Sequence, residues 1–212
     1  MKGLFVVFEG IDGSGKSTQI WKLAKYIFEI SKYNHVVVTR EPWKDENIRK
    51  ILRETDDPYS QAEQLAKMYV EDRKEHVQNL ILPAIQKGIH VISDRYSFST
   101  LAYQQTQGIP LTKLLEMHKG LPIPDIIFII DIPVKVALKR MNKDKKREKE
   151  QKFEKNISFL EKLRKKYLEL ANLPNHNVVI VDGRKKPEEI FEKQIKPNFG
   201  KVYNQFSLNF SR

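Results

Sequence analysis

The 212-residue sequence predicts an α/β fold built on a five-stranded parallel sheet with helices on both faces. Five short apolar runs alternate along the chain with longer segments of helical periodicity, an alternation typical of parallel sheets. Within each run the apolar residues are consecutive, as a strand covered on both faces requires. The expected strands are residues 4–9, 35–40, 89–94, 125–131 and 177–182.

The segments between these strands predict the helices, with Gly88 and Pro110 among the residues that mark breaks. Residues 198–212 show no clear period, and no element is predicted there. A single domain covering residues 1–212 is the expectation for a chain of this length. The expected helices are residues 16–33, 45–54, 60–87, 98–105, 111–119, 133–142, 153–172 and 187–196.

Composition excludes several classes of protein. There is no cysteine, so neither a disulfide framework nor a thiolate metal site is possible, and the five histidines are scattered. The longest apolar runs, such as residues 126–130, fall far short of the ~20 residues that a membrane helix needs. The chain begins directly with a strand pattern instead of a signal peptide. We therefore expect a soluble cytoplasmic protein with no membrane partner.

The net charge of +11 suggests a polyanionic ligand. Nearly half of that charge lies in residues 139–155, which contain nine Lys or Arg and four Asp or Glu. This stretch has two interpretations. It is either a solvated helix surface with i,i+4 ion pairs, or a mobile lid that brings a cation onto a transferring phosphoryl group.

The run GIDGSGKST follows the first expected strand and begins the first expected helix. It matches the phosphate-loop pattern G-x-x-x-x-G-K-[ST] in the context that supports it. Glycines let successive backbone N–H groups point at phosphates, the lysine reaches the β and γ oxygens, and the serine can ligate Mg²⁺. The pattern predicts that a nucleoside triphosphate is bound by Gly10, Ile11, Asp12, Gly13, Ser14, Gly15, Lys16, Ser17 and Thr18.

Three charged residues follow the second and third strands. Arg40, in TREP, can bind a second phosphate through a bidentate fork, or it can be a surface arginine paired with Glu41. Asp94 can hold Mg²⁺ through water and Arg95 can bind another phosphate, although a strand-end salt bridge would explain the same dipeptide. Because the carboxyl ends of parallel strands meet at one edge, we expect all three beside the phosphate loop.

On the long third segment of helix, Tyr69 and Arg73 are four residues apart and share one face. An aromatic plane and a guanidinium in this arrangement could recognise a nucleotide base. Tyr69 also has helical spacing with Leu65, and a place in the hydrophobic core is the simpler interpretation.

In order and approximate spacing, the motifs FEGIDGSGKSTQ, TREP, YVEDRKEHV and DRYSFSTLAYQ resemble thymidylate kinases. The resemblance continues through IDIPVKVALKR, the charged stretch, FLEKLRKKYLELA and VDGRKKPEEI. It implies a P-loop nucleotide kinase fold with a lid at about 140–155. It also implies Mg²⁺-dependent transfer of the ATP γ-phosphoryl group to dTMP, in dTTP synthesis. A homodimer formed through the long helices is implied as well, with no nucleic acid partner.

The resemblance assigns roles on the donor side at matching positions. Lys16 and Ser17 would bind the ATP phosphates and Mg²⁺, with Asp94 supporting the metal. Arg140 would lie near the adenine. Asp12 resembles the acidic residue that contacts the 3′-hydroxyl of the acceptor sugar. The implied catalytic residues are Asp12, Lys16, Arg95 and Arg147.

The acceptor side follows in the same way. Arg40 and Arg95 would hold the phosphate of dTMP. Tyr69 takes the position of an aromatic residue that stacks on thymine, and Arg73 that of the arginine that bonds its O4. Tyr103 would crowd the sugar 2′ position and exclude ribonucleotides. The surroundings of the base would be completed by Ser99, Thr100 and Gln104.

The sequence departs from the family pattern at two places. Residues 43–45, Trp-Lys-Asp, replace the glycines that usually follow TREP, so the shape of the loop behind Arg40 is open. Some members carry an arginine in the phosphate loop after the acidic residue, but here that position is Gly13. The lid should therefore supply the catalytic cation. Arg147 is the expected residue, and the alternatives are Lys143, Lys146 and Lys149.

Two other functions stay open at this point. A kinase for another nucleoside or nucleotide would share most of these residues and would differ at Tyr69 and Arg73. A nucleic-acid-stimulated ATPase or an NTP-driven switch would account for the positive charge. Arginines at three strand-end or helix positions favour a small phosphorylated acceptor instead.

Overall fold

The computed structural model describes residues 2–54, 61–142 and 157–208. Within them, five parallel strands form one sheet in the order β2-β3-β1-β4-β5, which confirms the predicted fold class. The first strand lies at the centre, between β3 and β4. The strands are β1 (Phe5–Glu9), β2 (Val36–Arg40), β3 (His90–Asp94), β4 (Ile126–Asp131) and β5 (Val178–Asp182).

The described helices agree with the predicted segments to within a few residues, apart from the C-terminal one. Two helical stretches contain a π-helical turn, one at Val77–Ile81 and the other at Phe191–Ile195. The helices are α1 (Lys16–Ile30), α2 (Glu46–Glu54), α3 (Ala62–His76), α4 (Leu82–Gln86), α5 (Ser97–Thr106), α6 (Leu111–Met117), α7 (Val134–Asn142), α8 (Ile157–Leu170), α9 (Pro187–Ile190) and α10 (Lys196–Leu208).

The C-terminal helix α10 is a correction to the sequence analysis, which predicted no element beyond residue 196. Phe199 is fully buried, with its ring centroid 6.4 Å from that of Tyr26 in α1. One turn later, the hydroxyl of Tyr203 accepts a hydrogen bond of 3.2 Å from Asn34. Packing against α1 therefore stabilises a helix whose own sequence carries little periodicity.

Alternate side chains of the central strands enter two separate hydrophobic clusters, one on each face of the sheet. On one face, Val7 and Ile127 pack with side chains from α5 and α8. On the other face, Phe8 and Phe128 pack with α1 and the C-terminal helices, and their rings stack at 5.1 Å. Burial on both faces explains why the strands read as unbroken apolar runs.

Parallel pairing brings the polar carboxyl ends of the strands to one edge of the sheet. Arg40 pairs with Asp94 across β2 and β3, and Asp131 pairs with Asp182 across β4 and β5. Glu9 ends β1 between these two pairs. Ligands bind at this edge in open α/β sheets, and it is where the predicted site residues converge.

Two further findings concern the described residues. None of their helices combines the length and the apolar character needed to cross a membrane. The predicted lid at about 140–155 begins at the end of α7, and its residues from 143 onward, including Arg147, lie outside the described part of the chain.

Candidate active site

The loop between β1 and α1 follows a path that glycine makes possible. Gly10, Gly13 and Gly15 have φ angles of +130°, +75° and +101°, in the left-handed region that other residues rarely adopt. Gly15 is the N-cap of α1, and Lys16 is the first residue of the helix. Backbone N–H groups and the positive end of a helix dipole therefore face the same space, as a phosphate site requires.

Close packing as well as conformation keeps two of these positions free of side chains. A Cβ atom at Gly10 would lie 2.6 Å from the carbonyl oxygen of Ile130. A Cβ atom at Gly13 would lie 2.7 Å from the carbonyl oxygen of Ala137 and 3.0 Å from Met141 Cγ, both in α7. An arginine at position 13 would thus need the loop and α7 to move apart.

The side chain of Lys16 is directed back into its own loop. Its Nζ donates hydrogen bonds to the carbonyl oxygens of Gly10 at 3.0 Å and Ile11 at 3.2 Å, and Asp12 Oδ1 is 3.6 Å away. Burial lowers the pKa of Lys16, and the nearby charge of Arg95 lowers it further. The amine is thus held at the loop, where phosphate oxygens could replace the two carbonyl oxygens as its hydrogen-bond acceptors.

Arg95 joins the phosphate loop to two other segments. Its Nη2 donates to Asp12 Oδ1, and its Nη1 donates to the hydroxyls of Ser99 and Tyr167, each at 3.0 Å. Its guanidinium also lies over the ring of Tyr103, 5.5 Å from the centroid. Arg95 has a φ of +75°, which is uncommon for a residue other than glycine and marks a constrained position.

Glu9, the last residue of β1, is fully buried beneath this arginine. Its Oε1 accepts hydrogen bonds from the backbone N–H groups of Tyr96 at 2.8 Å and Ser99 at 3.2 Å. Its Oε2 accepts from the hydroxyl of Ser99 at 2.6 Å, and the hydroxyl of Tyr167 lies 3.4 Å from the same oxygen. Burial raises the pKa of Glu9 from 4.5 to about 7, although the Ser99 hydrogen bond and the charge of Arg95 oppose the shift. Glu9 therefore titrates near neutral pH.

Arg40 and Asp94 form the other side of the edge. Arg40 is largely exposed, and its Nη2 lies 3.8 Å from Asp94 Oδ2. Asp94 Oδ1 is buried and has no hydrogen-bond partner among the described residues. An unpaired buried carboxylate oxygen beside the phosphate loop fits a cation site. Ser17, in the first turn of α1, supplies a hydroxyl at the position that phosphate loops use for Mg²⁺.

No cluster of three or more His, Cys, Asp or Glu side chains in residues 2–54, 61–142 and 157–208 could hold a metal ion by itself. Mg²⁺ commonly binds through one or two protein oxygens, water and substrate phosphates. The donor set of Ser17 and Asp94 agrees with that mode of binding.

Arg73 is 1% exposed, and each nitrogen of its guanidinium has a partner. Nε donates to Glu41 Oε2 at 2.8 Å, and Nη2 lies 2.7 Å from the same oxygen, so Glu41 forms an ion pair with Arg73. Nη2 also donates to the carbonyl oxygen of Tyr96 and to Thr100 Oγ1, both at 3.0 Å. Nη1 lies 2.6 Å from Nε2 of His118.

The contacts of His118 fix its tautomer. Its Nδ1 donates to the carbonyl oxygen of Leu114 at 2.7 Å, so Nε2 must accept the hydrogen bond from Arg73. Burial lowers the pKa of His118 to about 3, and the charge of Arg73 acts in the same direction. His118 is therefore a neutral acceptor that orients the guanidinium.

Two further predicted residues flank this group. Tyr69 lies one turn before Arg73 on α3. Burial raises the pKa of Tyr69 to about 12, and the charges of Arg95 and Arg73 oppose the shift. Gln104 is 2% exposed, and its Nε2 donates to Gln107 Oε1 at 3.0 Å. Its Oε1 is buried without a partner among the described residues.

The Trp-Lys-Asp loop behind Arg40 is held by Asp72 of α3. The carboxylate of Asp72 accepts hydrogen bonds from the backbone N–H groups of Trp43, Lys44 and Asp45, at 2.5, 2.8 and 2.9 Å. The indole of Trp43 stacks on His76, with ring centroids 5.2 Å apart. These contacts determine the shape of the loop, which the sequence alone left open.

Arg140, at the end of α7, connects the phosphate loop to the loop after β5. Its Nη1 donates to the carbonyl oxygen of Ser14 at 3.2 Å, and its Nη2 donates to that of Gly183 at 2.9 Å. Arg140 therefore lies at the outer side of the phosphate loop, away from Arg40 and Arg73.

Comparison with known proteins agrees with this geometry. The family model for thymidylate kinase matches residues 8–195. The chain belongs to the thymidylate kinase family. It is 38% identical to a probable thymidylate kinase of Pyrococcus abyssi, over 91% of this chain and 94% of that protein. It is 40% identical to the thymidylate kinase of Carboxydothermus hydrogenoformans, over 90% and 94%. A thymidylate kinase of Wolbachia pipientis is 41% identical, over 85% and 87%.

Thymidylate kinases are nucleoside monophosphate kinases, and therefore phosphotransferases. Most of the site residues that the sequence suggested lie together at the carboxyl edge of this family member. Sequence reasoning missed a second set that holds them in place. The sequence suggested Glu41 only as a partner of Arg40, and it gave no role to Asp72, which adjoins Arg73. Tyr167 is 72 residues from Arg95 and has no local signal. The missed residues are Glu9, Glu41, Asp72, His76, His118 and Tyr167.

We expect Asp72→Ala to lower the free energy of unfolding by about 3 kcal/mol, because three backbone N–H groups lose a charged acceptor. The neighbouring Glu71→Ala is the control. Glu71 is exposed and pairs with Lys74 on the surface, so its removal should change stability by less than about 0.5 kcal/mol. Chemical denaturation measures both. Equal losses in the two variants would mean that Asp72 does not hold the loop.

The raised pKa of Glu9 predicts that the free energy of unfolding depends on pH. Its pKa is higher in the folded protein, about 7, than the ordinary 4.5, so the folded state binds more protons between these values. The stability contributed by protonated Glu9 is complete below pH 4.5 and is lost as pH rises through 7, a loss of about 3 kcal/mol. Glu9→Gln should flatten this part of the profile in denaturation experiments from pH 5 to 8. Parallel profiles for the two proteins would contradict the assignment.

Proposed function

We propose that the protein catalyses Mg²⁺-dependent transfer of the ATP γ-phosphoryl group to dTMP, giving ADP and dTDP for dTTP synthesis. The observation that carries this proposal is the contact between Asp12 of the phosphate loop and Arg95 of the neighbouring strand end. It joins the phosphate loop, which would bind the triphosphate, to an arginine that would bind a second anion at the same edge of the sheet. Family membership supports dTMP as the acceptor.

On the donor side, the backbone of residues 10–18 would bind the ATP phosphates. Lys16 would exchange its bonds to the carbonyls of Gly10 and Ile11 for bonds to phosphate oxygens. Arg140, which already bonds the outer side of the loop, would lie near the adenine.

Mg²⁺ would be held by the Ser17 hydroxyl and, through water, by Asp94. Bound there, the ion would supply positive charge that offsets the negative charge of the phosphates. The contribution of the protein is to keep Asp94 Oδ1 buried and without another partner in the described chain. Asp94 also lies close enough to Lys16 to favour its charged form.

On the acceptor side, Arg40 and Arg95 would bind the phosphate of dTMP. The exposure of Arg40, 67% of its side chain, leaves its guanidinium able to turn toward a ligand. Asp12, beside Arg95, would accept a hydrogen bond from the sugar 3′-hydroxyl. Tyr103, beneath the Arg95 guanidinium, would occupy the space of a ribose 2′-hydroxyl.

The base would lie between Tyr69 and the group around Arg73. A guanidinium has five N–H donors. The partners of Nε, Nη2 and Nη1 in the described residues use four of them, which leaves one Nη1 donor for the O4 atom of thymine. Remaining contacts to the base edge would come from the buried Thr100 and Gln104. Ser99, whose hydroxyl already bonds Arg95 and Glu9, would line the site without donating to the base.

Catalysis would depend on alignment and charge neutralisation. The nucleophile is a phosphate oxygen that is already ionised, so no strong general base is needed. Two anions must be brought into line, and the lysine and arginines at this edge reduce their repulsion. Closure of a lid would exclude the water that competes for the phosphoryl group.

We also propose that the lid provides the catalytic cation. The crowding at Gly13 argues against a side chain at that point of the phosphate loop. Arg147, which lies outside the described residues, is the proposed source, with Lys143, Lys146 and Lys149 as alternatives. The other proposals from the family are a single domain, a cytoplasmic location and a homodimer formed through the long helices, without nucleic acid or membrane partners.

A substrate panel tests the proposed reaction. With ATP and Mg²⁺, we expect dTMP to give the highest kcat/KM among dTMP, dUMP, dCMP, dGMP, AMP and thymidine, and EDTA to abolish turnover. Lys16→Met is the control that assigns the activity to this site, since loss of the phosphate-loop lysine should remove it. Efficient turnover of AMP or thymidine with little of dTMP would overturn the proposal. ATP hydrolysis stimulated by DNA at physiological salt would place the protein in another class.

The lid assignment predicts that Arg147→Ala lowers kcat by about 10³-fold with little change in the KM for dTMP, as for other catalytic arginines. Lys25→Ala, which removes an exposed cation nine residues beyond Lys16 on α1, is the control and should leave kcat unchanged. Steady-state kinetics measure both. An unchanged kcat in Arg147→Ala would remove this residue from the mechanism.

A further inference from the structure

Tyr167 of α8 has a hydroxyl that nothing in the proposed reaction uses. The ring of Tyr167 packs in the hydrophobic cluster with side chains such as Phe159 and Leu163, and the residue is 1% exposed. The hydroxyl, however, projects from this cluster to Arg95 Nη1 at 3.0 Å. A buried hydroxyl directed at an arginine needs an explanation beyond packing.

The donors and acceptors around this hydroxyl form a directed chain. Arg95 can only donate, so the oxygens of Tyr167 and Ser99 both accept from its Nη1. Tyr167 can then pass its own hydrogen to Ser99 Oγ at 2.9 Å. Ser99 donates to Glu9 Oε2 at 2.6 Å. The chain runs from a cation through two hydroxyls to a buried carboxyl, an order in which each bond strengthens the next.

Glu9 also fixes the backbone that carries Arg95. Its Oε1 accepts from the N–H groups of Tyr96 and Ser99, the first and fourth residues after Arg95. Arg95 itself has a left-handed backbone conformation, which persists where surrounding contacts determine it. The main chain and the guanidinium of this residue are thus held by the same buried group.

We propose that Tyr167 is a positioning residue for Arg95, and that through Ser99 and Glu9 it keeps the guanidinium directed at the acceptor phosphate. The inference rests on the proposed role of Arg95 in binding dTMP. Asp12 holds Nη2 and the hydroxyls hold Nη1, so the guanidinium plane is fixed from both sides. Arginine side chains have high rotamer entropy, and fixing one before the ligand arrives reduces the cost of binding.

Tyr167→Phe isolates the hydroxyl because it keeps the ring in the core. We expect the Kd for dTMP to rise about 10-fold, the effect of one hydrogen bond to a charged group. The Kd for ATP should stay within about twofold. If the hydroxyl had a purely structural role, the variant would bind dTMP and ATP more weakly by similar factors. Equilibrium titration measures both constants, and the thermal unfolding curve shows that the variant folds.

Tyr203→Phe is the matched control. It also removes a partly buried tyrosine hydroxyl, one that bonds Asn34, and it lies near His90 at the opposite edge of the sheet. It should leave both dissociation constants unchanged. An equal loss of dTMP binding in Tyr203→Phe would show that the effect is not specific to Tyr167.

Arg95→Ala tests the proposed role of Arg95 in dTMP binding separately from the positioning role of Tyr167. If the proposed function is right, this variant weakens dTMP binding by about 100-fold, and adding Tyr167→Phe causes no further loss, since the hydroxyl acts through Arg95. Unchanged dTMP binding in Arg95→Ala would overturn the role of Arg95 itself. If Arg95→Ala weakens dTMP binding strongly, two results would overturn the positioning role of Tyr167 alone. One is normal dTMP binding in Tyr167→Phe, and the other is a double variant that binds dTMP more weakly than Arg95→Ala.

Discussion

The site depends on the parallel register of β1 and β3, which pairs Phe8 with Asp94. Because the two strands run in the same direction, the phosphate loop after Glu9 and the turn at Arg95 leave the sheet side by side. The N–H of Arg95 donates to the carbonyl oxygen of Phe8 at 2.9 Å, which continues the pairing past the end of β3. Slippage of β3 by one residue against β1 would turn the side chain of Asp94 to the other face and shift Arg95 away from Asp12.

Charged side chains are concentrated at this edge and most of them are buried. Each buried charge is therefore stable only when an oppositely charged group lies beside it. Glu41 and Arg73 are both more than nine-tenths buried, and each is the main counter-charge of the other. Removing one member of such a pair leaves an uncompensated charge in a medium that solvates it poorly. The same residues that would bind ligands therefore also specify the local fold, and their substitutions will not be additive.

The sequence was sufficient for the parts of the molecule that local rules determine. Consecutive apolar residues located all five strands, and glycine and lysine spacing located the phosphate loop, because both patterns lie within a few neighbouring residues. Helix α10 was missed because packing of Phe199 against α1 stabilises it more than its own periodicity does. Tyr167 was missed for a related reason, since it meets Glu9 across 158 residues of chain. No local pattern encodes such a contact.

Two adjacent residues of α3 hold the same loop from different sides. Asp72 binds the backbone of residues 43–45, and Arg73 binds the carboxylate of Glu41, so the segment around Arg40 is attached to one turn of one helix. The residues proposed to bind the phosphate and the base of the acceptor are thereby attached to the same helix. Any displacement of α3 would carry both ends together and preserve their separation. Helix α3 would therefore set the distance between the two proposed binding ends, and so the length of the nucleotide that fits between them.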